Sequence, residues 1–142
     1  MSDVLALVRM RGEMVCASEC SAPWSLGFAS HASHFHIVER GITYVTLDDG
    51  RVLRLEAGDL AIVPLGTGHT LSSDSKFEPV PIDEAMRDSG ASDGVVLRIG
   101  GGGELTEVVC GRFYFSGVLA PKLLTVLPRV IHIEGRQGRP LE

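Results

Sequence analysis

Three histidines are the side chains best suited to chemistry in this sequence of 142 residues. His34 and His36 lie two residues apart in a segment with strand character, so their side chains point to the same face of a sheet. His69 ends the stretch GDLAIVPLGTGH, in which a short apolar strand leads into a turn containing Pro64 and Gly66. Imidazole nitrogens bind zinc and other divalent ions, and they also form hydrogen bonds with each other, with backbone groups or with a ligand. The residue types alone leave both interpretations open.

Composition and hydrophobic pattern predict a β-rich fold that would position these histidines. Seventeen glycines and seven prolines are spread along the chain, which is typical of short strands joined by tight turns in a sandwich or barrel. The pattern in residues 34–64 predicts an antiparallel meander, with a hairpin at the turn sequence DDG. Further strands are predicted at residues 14–17, 24–28, 95–99, 105–115 and 130–133.

Short helices are predicted at both ends of the domain. Ser2 is a suitable N-cap for the apolar pattern that follows it, and this N-terminal helix is expected to end near Gly12. In the C-terminal helix, residues 121–127, Pro121 occupies the first turn and three leucines share one face. That apolar face predicts a homodimer interface.

Three other segments are predicted to lack regular structure. Residues 72–94 are polar and contain prolines, which favours a long loop that could close as a lid. The glycine run at residues 100–103 predicts a flexible hairpin connection, and no Gly-Lys-Ser/Thr sequence follows it to make a phosphate-binding loop. Residues 134–142 predict a disordered tail or the start of a linker, so the folded domain is expected to span residues 1–133.

Charge and hydropathy limit the partners and the location that can be expected. The net charge of −5 provides no broad basic face, so this chain alone is not expected to bind nucleic acid. There is no apolar run of 18 residues and no signal-peptide pattern, which predicts a cytoplasmic protein without a membrane span.

The three cysteines are Cys16, Cys20 and Cys110. Their number and spacing fit neither a disulfide framework nor a zinc ribbon, and reduced, partly buried thiols are the simplest expectation. If Cys16 or Cys20 came within about 7 Å of Cys110, measured between Cα atoms, an oxidative switch would be geometrically feasible. A thiol-based redox sensor is therefore one alternative function.

The residues around His69 resemble the second conserved motif of the cupin superfamily. The spacing of Gly58, Pro64, Gly66 and His69 matches that motif, in which a strand feeds a turn that aims the histidine into the mouth of a small β-barrel. The family's usual asparagine at the end of the motif is Ser73 here.

The first cupin motif is matched less faithfully. The sequence VERG at residues 38–41 resembles its strand, but His34 takes the place of the family's glutamate. Gly27 and Ala29 stand where the family usually has histidines, and neither can bind a metal. The resemblance therefore implies a broken four-ligand set. The remaining candidate ligands for zinc or another divalent ion are His34, His36 and His69.

Longer segments narrow the resemblance. The stretches SDVLALVRMRG, SAPWSLGF, FHIVERG, LEAGDLAIVPLGTGHTL, GGGGELTEVVCGRFYF and LLTVLPRVIHI together are similar to the cupin-like N-terminal sensing domain of AraC-type transcriptional regulators, from Ser2 to Ile133. This resemblance implies an all-β, double-stranded β-helix (a jelly-roll barrel). It also implies a small-molecule effector in the barrel, a homodimer, and DNA binding through an attached helix-turn-helix domain. No segment here resembles a recognition helix.

The leading prediction is thus a non-enzymatic sensing and dimerisation domain, with no catalytic residues. Candidate ligand-binding residues project into the barrel or lie near its mouth: His34, His36, Tyr44, His69 and Trp24. His31 and His132 are expected to be surface or core histidines. A small metal-dependent cupin enzyme, such as a dioxygenase or an isomerase, is the runner-up.

Overall fold

The structure is a computed structural model that describes residues 9–64, 66–74, 78–89 and 96–135. In these residues the chain forms eleven strands and two short helices. The strands are β1 (Arg9–Ser21), β2 (Ser25–Phe28), β3 (Ser33–Arg40), β4 (Ile42–Leu47), β5 (Val52–Glu56), β6 (Leu60–Val63), β7 (His69–Ser72), β8 (Val80–Pro81), β9 (Val96–Gly100), β10 (Leu105–Ser116) and β11 (Ile131–Ile133). The helices are α1 (Ile82–Ser89) and α2 (Ala120–Val126).

Two sheets form the fold and enclose the core between them. One sheet has the strand order β11-β6-β3-β10-β1-β9, and the other has the order β5-β4-β7-β2-β8. Burial alternates along strands such as β4 and the first half of β10. The residues that are almost fully buried between the sheets include Leu26, Val38, Val45, Leu71 and Val108. This arrangement confirms the predicted all-β jelly roll. In the described ranges, neither helix is long and apolar enough to cross a membrane.

The meander predicted for residues 34–64 is only partly right. β4 and β5 form the expected hairpin, but β3 and β6 pair with each other in the opposite sheet. The chain changes sheets at Gly41, which has a φ of +81° and where a Cβ atom would lie 2.5 Å from the carbonyl oxygen of Leu105. Only glycine accommodates both that conformation and that close approach.

Two further expectations about secondary structure need correction. Residues 2–8 of the predicted N-terminal helix lie outside the described residues, but residues 9–12 already belong to β1 and pair with β10. The backbone partners that the long β10 offers outweigh a local helical pattern. The predicted loop at 72–94 contains β8 and α1, whose Ile82 and Ala85 are buried on one helix face. Their i, i+3 spacing was the overlooked signal.

The glycine run does not connect a hairpin. β9 is parallel to β1, and β1 lies between β9 and β10. The run instead folds over the end of β1, where Gly101 and Gly103 donate backbone hydrogen bonds of 2.9 and 2.8 Å to the carbonyls of Ser21 and Ala22. A Cβ atom at Gly100 would lie 1.8 Å from the Ser21 oxygen, so the chain can pass this close only without a side chain.

Asp59 connects the turn before β6 to the end of the described chain. Its carboxylate accepts hydrogen bonds from the backbone amides of Gly135 (2.9 Å) and Glu56 (3.0 Å) and lies 3.3 Å from Nε2 of His132. Burial raises the pKa of Asp59, but these three contacts outweigh it, so the pKa lies below its ordinary value. β11 is therefore held to β6 by strand pairing and by one buried carboxylate.

We expect Asp59→Ala to lower the free energy of unfolding by about 2–4 kcal/mol, because it removes several hydrogen bonds to a buried charge. Asp49 is the matched control, since it also accepts a backbone hydrogen bond in a turn but is exposed. Asp49→Ala is expected to lower the free energy of unfolding much less, because water screens the interactions of an exposed carboxylate. Urea denaturation of both variants measures the difference, and equal costs would contradict the role given to Asp59.

Candidate functional site

The three predicted histidines meet in the interior, between the two sheets. β3 carries His34 and His36 on its inner face, and His69 begins β7 in the opposite sheet. Nε2 of His36 lies 2.7 Å from Nε2 of His69. The ring of His34 is centred 5.5 Å from that of His69 and 6.2 Å from that of His36. All three side chains are buried, and that of His36 is fully so.

Phe28 packs among these rings, and no sequence argument singled it out. Its ring stacks on His69 with centroids 5.0 Å apart and planes within 9°. It also meets the rings of His34 and His36 edge-on, at 5.1 and 4.6 Å. The available signal was period-two alternation along β2, which places Phe28 and the core residue Leu26 on one face. An aromatic ring thus fills the space that the histidines surround.

The hydrogen bonds of the cluster assign its proton positions. The carbonyl oxygen of Thr67 can only accept, and it lies 3.4 Å from Nδ1 of His69. Nδ1 of His69 is therefore assigned the proton, and its Nε2 accepts from Nε2 of His36. Nδ1 of His36 is then an acceptor, and the Cys110 thiol, with Sγ 3.1 Å away, donates to it. A directed hydrogen-bond chain runs from Cys110 through both rings to Thr67.

Burial keeps the three histidines neutral. Loss of hydration lowers the pKa of His34 to about 4, with further lowering from the charge of Arg112. Burial likewise lowers the pKa of His69 to about 3, and it lowers the pKa of His36 well below its ordinary value. Within the described residues, Nδ1 of His34 is buried and has no hydrogen-bond partner. The cluster is thus uncharged at neutral pH and has one polar atom to offer.

The geometry does not fit a metal ion held by all three histidines. Two nitrogens bound to one tetrahedral zinc lie about 3.3 Å apart, because Zn–N bonds are about 2.0–2.1 Å long. The 2.7 Å between Nε2 of His36 and Nε2 of His69 suits one shared proton instead. Across the part of the chain that the structure describes, no three His, Cys, Asp or Glu side chains are arranged to hold a metal ion.

Tyr44 and Trp24 lie apart from the histidines. The expectation that Tyr44 projects into the barrel is wrong, because Val45 takes the inward position on β4 and Tyr44 faces outward. Tyr44 lines a separate cavity of about 180 Å³. Trp24 is buried at the far end of β2 from Phe28, where it lines a cleft of about 400 Å³ between α1 and β9.

The three cysteines and the two remaining histidines lie outside the cluster of His34, His36 and His69. Cys16, Cys20 and Cys110 are buried free thiols. Burial raises the pKa of Cys20 to about 12, and the close contact with Cys16, followed by burial, raises the pKa of Cys110. His31 is exposed, and His132 is half-buried beside Asp59.

Comparison with known proteins identifies the class that this fold and site define. The family model described as Cupin (Cupin_6) matches residues 1–142, and the chain therefore belongs to the cupin family. The comparison with curated proteins gave no match. Among solved structures, the chain is similar to the protein YhaK from Escherichia coli, at 9% identity and a TM-score of 0.47. That alignment covers 97% of this chain and 48% of the other, so the chain spans about half the length of that structure.

The depressed histidine pKa values predict a steep loss of stability in mild acid. In the unfolded chain, histidines take up protons near pH 6.5, whereas the folded cluster stays neutral down to about pH 4. Between pH 6 and pH 5 each buried histidine lowers the free energy of unfolding by up to about 1.4 kcal/mol per pH unit. We expect His34→Gln to reduce this slope by about one third in urea denaturation series.

His31→Gln is the matched control, because His31 is an exposed histidine three residues away in the sequence. Its substitution is expected to leave the slope unchanged. A slope in the His34 variant equal to that of the unsubstituted protein would show that His34 is protonated in the folded state.

Proposed function

We propose that this cupin domain senses a small molecule and belongs to an AraC-type transcriptional regulator in the cytoplasm. The observation that carries the proposal is the neutral histidine cluster, in which His36 and His69 join the two sheets through one hydrogen bond. Such a cluster offers polar contacts to a ligand, and within the described residues its hydrogen bonds join imidazoles, a thiol and a backbone carbonyl without a carboxylate.

The side chains around the histidine cluster indicate the class of ligand. Phe28 supplies an aromatic face, and Nδ1 of His34, which has no hydrogen-bond partner among the described residues, supplies one polar contact. A small uncharged aromatic molecule with one hydroxyl group matches these features. Such a ligand would enter by displacing the Phe28 ring, and its binding would shift the equilibrium between two states of the interior.

A route for the signal runs from the cluster to the C-terminal end of the domain. The turn before His69 follows β6, and β6 pairs with β11. Asp59, at the start of β6, also holds Gly135 and contacts His132. Movement at His69 would therefore alter how the chain leaves the domain, where an attached DNA-binding unit would begin.

Dimerisation through α2 is the second part of the proposal. Ala120 packs inward, whereas Val118 and Val126 are 79% and 71% exposed. Val118 lies two residues before α2 and Val126 ends it, and apolar side chains exposed to this degree near one helix favour contact with another copy of the chain.

A metal-dependent cupin enzyme, such as a dioxygenase or an isomerase, is the competing function. Zinc, iron or manganese would need the rings of His36 and His69 to separate before both could bind. Elemental analysis of the purified protein distinguishes the two functions. A stoichiometric metal that is lost in His69→Ala would favour the enzyme, and its absence together with phenol binding would favour the sensor.

We expect phenol, used as the probe, to raise the melting temperature of the protein, because a ligand bound only to the folded state stabilises it. At ten times the dissociation constant, the gain is about 1.4 kcal/mol. His34→Phe is expected to abolish the shift, and the exposed control His31→Phe to retain it. An unchanged shift in His34→Phe would contradict the proposed site.

We expect Val126→Asp to weaken the dimer at least about tenfold in sedimentation equilibrium, because it places a charge in an apolar contact. Val52→Asp is the matched control, since Val52 is also an exposed valine but lies on β5, away from α2. A monomer at all concentrations would overturn the dimer.

The coding sequence after residue 142 tests the attached DNA-binding unit: two helix-turn-helix patterns support it, and a stop codon contradicts it.

A further inference from the structure

A β-bulge in β1 brings two buried cysteines face to face. Met14 pairs with Gly111 and Cys16 pairs with Cys110, so Val15 is an extra residue in β1 at this point. In an unbulged register Val15, and not Cys16, would lie opposite Cys110. Directly opposed residues in antiparallel strands have Cα atoms about 4.5–5.5 Å apart, which lies within the range that disulfides span.

The third cysteine does not share this geometry. Cys20 lies four residues further along β1 and pairs with Thr106. At about 3.3 Å per residue, it is roughly 13 Å along the strand from Cys16. That distance exceeds the disulfide limit of about 7 Å between Cα atoms to either of the other two cysteines.

We infer that Cys16 and Cys110 form a reversible disulfide when a small peroxide reaches the interior. The Cys16 sulfur attacks one peroxide oxygen, the O–O bond breaks, and the departing hydroxide takes the thiol proton to form water. The Cys110 sulfur then displaces hydroxide from the sulfenic acid, so that an S–S bond forms and the S–O bond breaks. Two thiols and one hydrogen peroxide thus give one disulfide and two waters, and a dithiol reductant reverses the change.

His36 is placed to take part in the second step. Its Nδ1 lies 3.1 Å from the Cys110 sulfur and can accept the thiol proton, which then passes to the departing hydroxide. Once the disulfide has formed, Cys110 has no proton to donate. Nδ1 of His36 loses its partner, and the hydrogen-bond chain to His69 loses its starting point. The oxidation state of the cysteines is therefore coupled to the histidine cluster.

Burial determines which reagents can reach the pair. Cys16 and Cys110 have no exposed surface, so a bulky alkylating agent is excluded from the folded protein. Hydrogen peroxide is small and uncharged and can enter during local opening. This inference depends on the register of β1 and β10 and is independent of effector binding and of any attached DNA-binding unit.

The test treats the folded protein with hydrogen peroxide, quenches it with catalase, denatures it, and labels remaining thiols with N-ethylmaleimide for mass spectrometry. We expect labels on all three cysteines before oxidation and on Cys20 alone afterwards. Peptide mapping should join the peptides of Cys16 and Cys110, with a mass loss of about 2 Da that dithiothreitol reverses. A cross-link through Cys20, or three labels after peroxide treatment, would overturn the inference.

Serine variants supply the matched controls. Cys20→Ser is expected to form the disulfide at the rate of the unsubstituted protein, whereas Cys16→Ser and Cys110→Ser should form no intramolecular cross-link. Should these variants fail to fold, the peptide map of the unsubstituted protein still decides the pairing.

The coupling between cysteine oxidation and the histidine cluster is measured by NMR. The ring ¹⁵N resonances of His36 should move on oxidation, while those of His132 should not. Unmoved His36 resonances beside a mapped disulfide would overturn the coupling.

Discussion

The interior of this cupin domain depends on one buried contact between its two sheets. His36 on β3 and His69 on β7 share a hydrogen bond of 2.7 Å. Both residues are buried, so each polar nitrogen must find a partner inside the protein. Thr67 and Cys110 provide those partners at the two ends. Neutral imidazoles satisfy this arrangement, and a second proton on either ring would disrupt it.

A buried network of this kind ties the chemistry of one strand to that of another. Burial removes the competition of water, which strengthens each hydrogen bond and makes each missing partner costly. A change at Cys110 would therefore reach His69 through two hydrogen bonds. In the same way, a ligand that displaces Phe28 would act on both sheets at once, because that ring contacts histidines from each of them.

The position of the second histidine in the chain connects this interior to the end of the domain. Asp59 and His69 belong to the same motif and flank β6, one before the strand and one after the turn that follows it. β6 is paired on one side with β3, which carries His36, and on the other with β11. The strand next to the cluster is thus also the strand that holds the C-terminal segment.

The local pattern of the sequence determined most of the strands, the β4–β5 hairpin and the shared face of His34 and His36, because side-chain alternation and turn chemistry depend only on neighbouring residues. The cupin spacing around His69 indicated the barrel interior. Tertiary structure alone decided that Cys16 faces Cys110, since the bulge at Val15 fixes a register between distant segments. Which face of β4 turns inward, and so excludes Tyr44, likewise depends on pairing across the sheet: both alternating sets on that strand contain apolar residues, and only long-range packing chooses between them.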